Sequence, residues 1–100
     1  MRMNTNDSEL AAQAASGDMA AFQVLLERHY DSIFRIALRF TGVREDAEDV
    51  AQTVCTSLAV KLRSFKGEAR FTTWLYRIVV NASQDFHRRQ SATTRLHQAY

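Results

Sequence analysis

Phe65-Lys66-Gly67-Glu68-Ala69-Arg70-Phe71-Thr72-Thr73-Trp74-Leu75-Tyr76-Arg77-Ile78-Val79-Val80-Asn81 joins a short loop to an amphipathic helix, and the rest of the chain is read outward from it. Leu75, Ile78, Val79, Ala82 and Phe86 recur at helical spacing and form one apolar stripe. Arg77, Asn81, Gln84 and Arg88 fall on the opposite side, at steps of four, three and four. One face of such a helix anchors on a core; the other meets either water or a polyanion. The loop sets Lys66 and Arg70 among Phe65, Gly67 and Phe71. Rings interleaved with cations beside a glycine suit a splayed nucleic-acid strand, whose bases stack on aromatics while its phosphates meet the charges. A Phe at a helix entry also suits a structural staple that fixes the approach of the chain. Both readings of Phe71 stand at this stage, as do both readings of Phe65 at the end of the preceding helix.

One hundred residues allow one domain with a modest core. Apolar residues make up 46% and charged residues 24% of the chain, within the ordinary globular range. Proline is absent and only three glycines occur, which favours long helices over a turn-rich β fold. The polar start, Met1 to Ser8, lacks the apolar segment of a secretion signal, and no apolar run is long enough for a membrane span. The expected location is therefore the cytoplasm, without membrane contact. The lone Cys55 has no partner for an internal disulfide. Net charge is only +2, but it is unevenly spread. Residues 1–60 hold five Arg and nine acids, net −4; residues 61–100 hold eight Lys or Arg and two acids, net +6. Two partners of opposite sign fit that division, with nucleic acid matching the basic part.

The expected fold class is all-α, a compact bundle of about four helices. Residues 1–5 read as disordered. Asn6 with Glu9 forms a capping box for a first helix over about Asp7 to Ser16. Gly17 ends it, and Asp18 caps a second helix over about Met19 to Thr41. Phe22, Leu25, Leu26, Ile33, Ile36, Ala37 and Phe40 form the stripe of that helix, widened by Val24, Tyr30, Phe34 and Leu38. His29 on the same stripe reads as a packed or hydrogen-bonded core residue. After Gly42 a third helix is expected over about Arg44 to Ser64, buried through Ala47, Val50, Ala51, Val54, Cys55, Leu58 and Leu62. Glu45, Asp46, Glu48 and Asp49 crowd its start, where negative charge complements the helix dipole. Its outer face, with Asp49, Gln52 and Thr56, suits a protein partner. Thr72 or Thr73 is expected to cap a fourth helix over about Thr73 to Gln90, and residues 91–100 read as a linker or a fraying helix end. No phosphate loop, zinc-spaced Cys/His set or catalytic triad order is present, so neither an enzyme nor a cofactor is expected.

Four ordered signatures now resemble a known family. They are Gly17-Asp18 with Ala21-Phe22 and Leu25; Asp46-Ala47-Glu48-Asp49-Val50 with Gln52; Phe65-Lys66-Gly67 with Phe71; and Thr73-Trp74-Leu75-Tyr76-Arg77-Ile78 with Asn81, Asp85, Arg88 and Arg89. Together they resemble region 2 of bacterial sigma factors, most closely the extracytoplasmic-function group, over residues 6–90. The resemblance implies a sigma factor region 2-like fold that docks on the largest-subunit coiled coil of core RNA polymerase. Asp46, Glu48, Asp49, Gln52 and Thr56 would make that contact. It further implies that the minus-ten promoter element is melted and its non-template strand held by Phe65, Lys66, Arg70, Phe71, Thr72, Arg77, Asn81, Gln84, Arg88 and Arg89. An anti-sigma factor is a further partner that the resemblance implies. Thr53, Cys55 and Ala59 depart from the family pattern, which has an acid, an aromatic and a large residue there. The helix-turn-helix domain that follows region 2 in the family is absent from residues 91–100. Two other readings stand beside this one: a helical protein-interaction module, and a generic DNA-binding module that does not use polymerase.

Overall fold

The computed structural model describes residues 6–98, with side chains described up to residue 93. Four α-helices follow in order: α1 Asp7–Ala15, α2 Met19–Thr41, α3 Arg44–Lys61 and α4 Phe71–Gln98. A 3-10 turn, Leu62–Ser64, closes α3. The described residues contain no strand, so the fold is all-α. The expected disorder of residues 1–5 lies outside the described residues.

Local chemistry sets the helix boundaries. Oδ1 of Asn6 accepts the Glu9 N–H at 2.8 Å and Oδ1 of Asp18 accepts the Ala21 N–H at 3.1 Å, so each opens its helix by satisfying a donor that the first turn leaves unpaired. Gly42 closes α2 in the left-handed region, with φ of 75°, and returns its N–H to the Leu38 carbonyl at 2.8 Å. α3 opens on Val43, which offers no side-chain cap, and Glu45 and Asp46 supply negative charge at that end instead.

Two helices, α3 and α4, differ in extent from the sequence reading by more than one residue. The α-helical part of α3 stops at Lys61, and the chain tightens into 3-10 geometry through Ser64. α4 begins two residues earlier than expected and runs to Gln98. Its first backbone bond runs from the Trp74 N–H to the Arg70 carbonyl, so Thr72 and Thr73 lie inside the first turn and are not caps. The segment expected as linker or fraying end is helical through Gln98, and every described side chain from His87 to Thr93 is exposed. At about 1.5 Å per residue, α4 is roughly 42 Å long. That overhang fits the elongated outline of 59 × 23 × 22 Å.

α2 is central and packs against each of the other three helices. The core is drawn from every element: Leu10 and Ala11; Ala21, Leu25, Ile33 and Ala37; Ala47, Val50, Ala51, Val54 and Leu58; Leu62; and Phe71, Leu75 and Val79. Ala37, Ala47 and Ala51 are fully buried, and their small side chains let α2 and α3 approach closely. Phe40, expected on the α2 stripe, is 37% exposed. There α2 meets α4 through its backbone, because Nε2 of His87 lies 2.6 Å from the Phe40 carbonyl. Ser83, which the sequence reading passed over, is fully buried on α4 and donates to the Val79 carbonyl at 2.9 Å. α1 is tied to α2 by Asp7, whose Oδ1 lies 3.0 Å from Nη1 of Arg28 and whose Oδ2 lies 3.0 Å from Nε2 of His29. The His29 approach has ion-pair distance without hydrogen-bond alignment.

Ile78 is only half-buried, whereas Leu58 is 2% exposed. Leu58→Ala should therefore cost about 2–5 kcal/mol in urea denaturation, and Ile78→Ala distinctly less. Equal losses would mean that the apolar face of α4 is oriented differently.

Candidate nucleic-acid and protein interfaces

The loop between α3 and α4 is held from beneath by aromatic packing. The Phe71 ring lies 5.2 Å from His29, 5.6 Å from Phe65 and 5.7 Å from Trp74, centroid to centroid, and Phe65 lies 4.9 Å from Trp74. Phe71 is 3% exposed and belongs to the core. That corrects its expected place on the strand-stacking surface: enclosed by His29, Phe65 and Trp74, its ring is not presented to a base. Phe65 and Trp74 are half-buried and each keeps part of its surface in solvent. Above this cluster Lys66, Gly67, Glu68, Ala69 and Arg70 are all exposed. Gly67 turns the chain there with φ of 75°, a conformation that side chains with a Cβ rarely adopt.

α4 continues the exposed surface. Thr72, Arg77, Asn81, Gln84, Arg88 and Arg89 are all exposed, while Leu75 and Val79 are buried beneath them. Lys66, Arg70 and Arg77 make no ion pair among the described residues. Arg88 and Arg89 do, and both reach Asp85. Fixed cations beside an amide side chain and two partly open rings can neutralise phosphates, bond a base edge and support stacking.

The other candidate surface lies on α3. Glu48, Asp49, Gln52 and Thr56 are exposed and Asp46 is half-buried. Glu48 pairs with Arg44, Oε2 to Nε at 3.7 Å. Asp49, Gln52, Thr53, Thr56 and Ser57 line an open depression of about 460 Å³. Behind them Val50, Ala51, Val54 and Leu58 are buried, so the polar surface stands on a rigid back. Cys55, half-buried on the same helix, has its thiol pushed above the ordinary range by burial. This matches a packed side chain and not a nucleophile.

Sequence reasoning missed a groove of about 360 Å³ between α3 and α4. Thr53, Ser57 and Lys61 of α3 face Asn81, Asp85, Arg88 and Arg89 of α4 across it, above Val50, Ile78, Ala82 and Phe86. The signal was present as the four-residue spacing of Thr53, Ser57 and Lys61, which puts all three on one side of α3. Only the structure shows which helix that side faces. Among the described residues no group of His, Cys, Asp or Glu is arranged to hold a metal ion, and no helix is long and apolar enough to cross a membrane.

Residues 25–93 match the family described as sigma-70 region 2. The chain belongs to that family. It is 38% identical over 91 residues to the ECF RNA polymerase sigma factor SigM of Mycobacterium tuberculosis, covering 91% of this chain and 46% of the relative. To the RNA polymerase sigma factor CnrH of Cupriavidus metallidurans it is 36% identical, covering 86% of this chain and 46% of the relative. The chain thus spans about half the length of these relatives and is a region 2 domain of the extracytoplasmic-function kind. Two solved structures share the fold. One is an engineered region 2 of sigmaE in complex with GTAAAA, with a TM-score of 0.82 and 30% identity over 91% of this chain and 95% of that one. The other is CnrH in complex with the cytosolic domain of CnrY, with a TM-score of 0.72 and 34% identity over 92% and 60% respectively.

Phe71→Ala in this region 2 domain should cost about 3–5 kcal/mol in thermal or urea unfolding, since it empties a core site. Arg77→Ala, at an exposed position, should stay within about 0.5 kcal/mol. A Phe71→Ala domain as stable as the parent would return that ring to the surface.

Proposed function

We propose that this domain serves transcription initiation, docking on core RNA polymerase through α3 while the loop and α4 open the minus-ten element and hold its non-template strand. The observation that carries this reading is the segregation of two polar surfaces on one helical body. An acidic and amide-bearing face lies on α3, and a cationic face runs from Lys66 along α4. A domain that only bound DNA would gain nothing from the first. The likeness to an engineered region 2 of sigmaE in complex with GTAAAA supports the second.

The residue assignments are those the resemblance implies, with Phe71 withdrawn because it is buried. Asp46, Glu48, Asp49, Gln52 and Thr56 meet the largest-subunit coiled coil. Lys66, Arg70, Arg77, Arg88 and Arg89 meet phosphates. Phe65 supplies partly exposed ring surface; Asn81 and Gln84 supply amides for base edges; Thr72 supplies a hydroxyl. Phe71 supports the loop from within and does not take part. Opening a duplex costs a few kcal/mol per unstacked step, and stacking returns about 1–3 kcal/mol per base, so a handful of contacts suffices once polymerase holds the domain in place. The domain works by binding and not by catalysis, and its place of action is the cytoplasm. An anti-sigma partner fits the same reading, since the related CnrH is solved in complex with the cytosolic domain of CnrY.

Two measurements test the reading. Asp49→Ala combined with Gln52→Ala should weaken capture of core polymerase about tenfold or more with helicity unchanged, and full affinity in a folded double variant would sink the α3 assignment. In anisotropy titrations, Arg77→Ala should weaken binding to all strands and lower the salt slope by about 0.7, whereas Asn81→Ala should relax preference at one base and leave the slope alone. Equal affinity for duplex and single strand of one sequence would reduce α4 to a generic basic surface.

A further inference from the structure

Asp85 stands among the cations of α4. Its two carboxylate oxygens take one arginine each: Oδ1 lies 3.2 Å from Nη2 of Arg88, and Oδ2 lies 2.7 Å from Nη2 of Arg89. All three line the α3–α4 groove opposite Lys61. The arrangement is what a phosphate would draw around itself, because guanidinium groups recognise carboxylates and phosphates through the same paired oxygens. We propose that Asp85 occupies the place of a backbone phosphate in this groove, and that a bound single strand displaces it, exchanging the Asp85 contacts of Arg88 and Arg89 for phosphate oxygens and adding Lys61 from α3. The proposal rests on the reading of α4 as the strand-holding helix and deepens it. It extends the contact surface to α3 and gives a role to an acid on an otherwise basic face.

The charges in the groove explain why the exchange can occur. Three cations, Lys61, Arg88 and Arg89, face one carboxylate, so the groove keeps a positive surplus. Both arginine side chains are more than 70% exposed, and exposed pairs of this kind are weak and readily broken. A carboxylate at this position nevertheless repels every incoming phosphate alike. It lowers affinity for all sequences and leaves the Asn81 amide unaffected. The penalty is common to all strands, so Asp85 sets the overall affinity and its salt dependence and leaves the preference between sequences unchanged.

The test uses anisotropy on the chain with two labelled strands, GTAAAA and a scrambled hexamer, at about 50 mM and about 200 mM salt. Asp85→Asn should bind both strands about three- to tenfold more tightly at the lower salt, with a steeper salt slope. Asp85→Ala should act in the same direction, which separates loss of charge from any bond made by the new amide. Lys61→Gln should weaken both strands and lower the slope by about 0.7. The gain from Asp85→Asn should vanish when Arg88 and Arg89 are both changed to Gln. If the parent chain binds but both Asp85 variants bind equally or more weakly, the displacement is overturned and the reading of α4 survives. If the parent chain binds neither strand, alone or with core polymerase present, the reading of α4 is overturned and this proposal with it.

Discussion

The packing of Phe71 is the contact on which the other parts of this domain converge. The ring is the first residue of α4, and it touches His29 from the middle of α2, Phe65 from the end of the loop and Trp74 one turn further along. Aromatic pairs of this geometry contribute about 0.5–1.5 kcal/mol each beyond the area they bury. Their larger effect is positional. No regular hydrogen-bonded structure spans residues 65–70, so the loop takes its place from the rings at its two ends. His29 extends the chain of contacts to Asp7, which brings the start of α1 under the same joint. Removing the ring would loosen the loop, the entry of α4 and the seat of α1 together.

Above this common core the surface is divided by helix. α3 opens on four acids, Glu45, Asp46, Glu48 and Asp49, whereas the loop and α4 carry six Lys or Arg against two acids, and both helices rest on buried valines and leucines. The division keeps opposite charges from neutralising each other across the interior, so each face retains a field of its own. In the α3–α4 groove α3 contributes the cation Lys61 and no acid, and the one carboxylate, Asp85 of α4, is engaged by two arginines of its own helix.

Most of this architecture could be read from the chain because its signals are local. Apolar periodicity located the stripes of α2, α3 and α4, and Asn6, Asp18 and Gly42 marked boundaries by chemistry that involves only their neighbours. What escaped the sequence depends on contacts between distant segments. Phe71 has the same composition signal whether it stacks on a base or on His29, 42 positions away, and only the approach of α2 decides. Phe40 fits its stripe but lies where α2 and α4 meet through a backbone carbonyl. Thr72 looked like a cap because threonine caps helices well; α4 starts two residues earlier, with Phe71 packed in the core as its first residue. On the surfaces, periodicity placed Arg77, Asn81, Gln84 and Arg88 of α4 and Asp49, Gln52 and Thr56 of α3 on the outside, where they are, but it drew the exposed Val24 and Tyr30 into the α2 stripe. It gave no hint of the groove, since that requires knowing how α3 and α4 are rotated against each other.

α4 also has a metrical property. Residues 71–98 contain neither glycine nor proline and form one unbroken helix. Eleven residues separate Arg77 from Arg88, a distance of about 16 Å along the axis at the usual rise. Phosphates follow one another at about 3.4 Å along a strand with duplex spacing, so this interval corresponds to about five of them, and to fewer in a strand pulled straighter. A loop carrying the same two arginines could adapt to either spacing, whereas a continuous helix cannot lengthen or shorten without losing backbone hydrogen bonds. For the strand binding proposed above, α4 therefore acts as a ruler. Any strand laid along α4 must match the length of the helix as well as the chemistry of its side chains, and a strand of the right letters held at the wrong stretch meets the cations out of step.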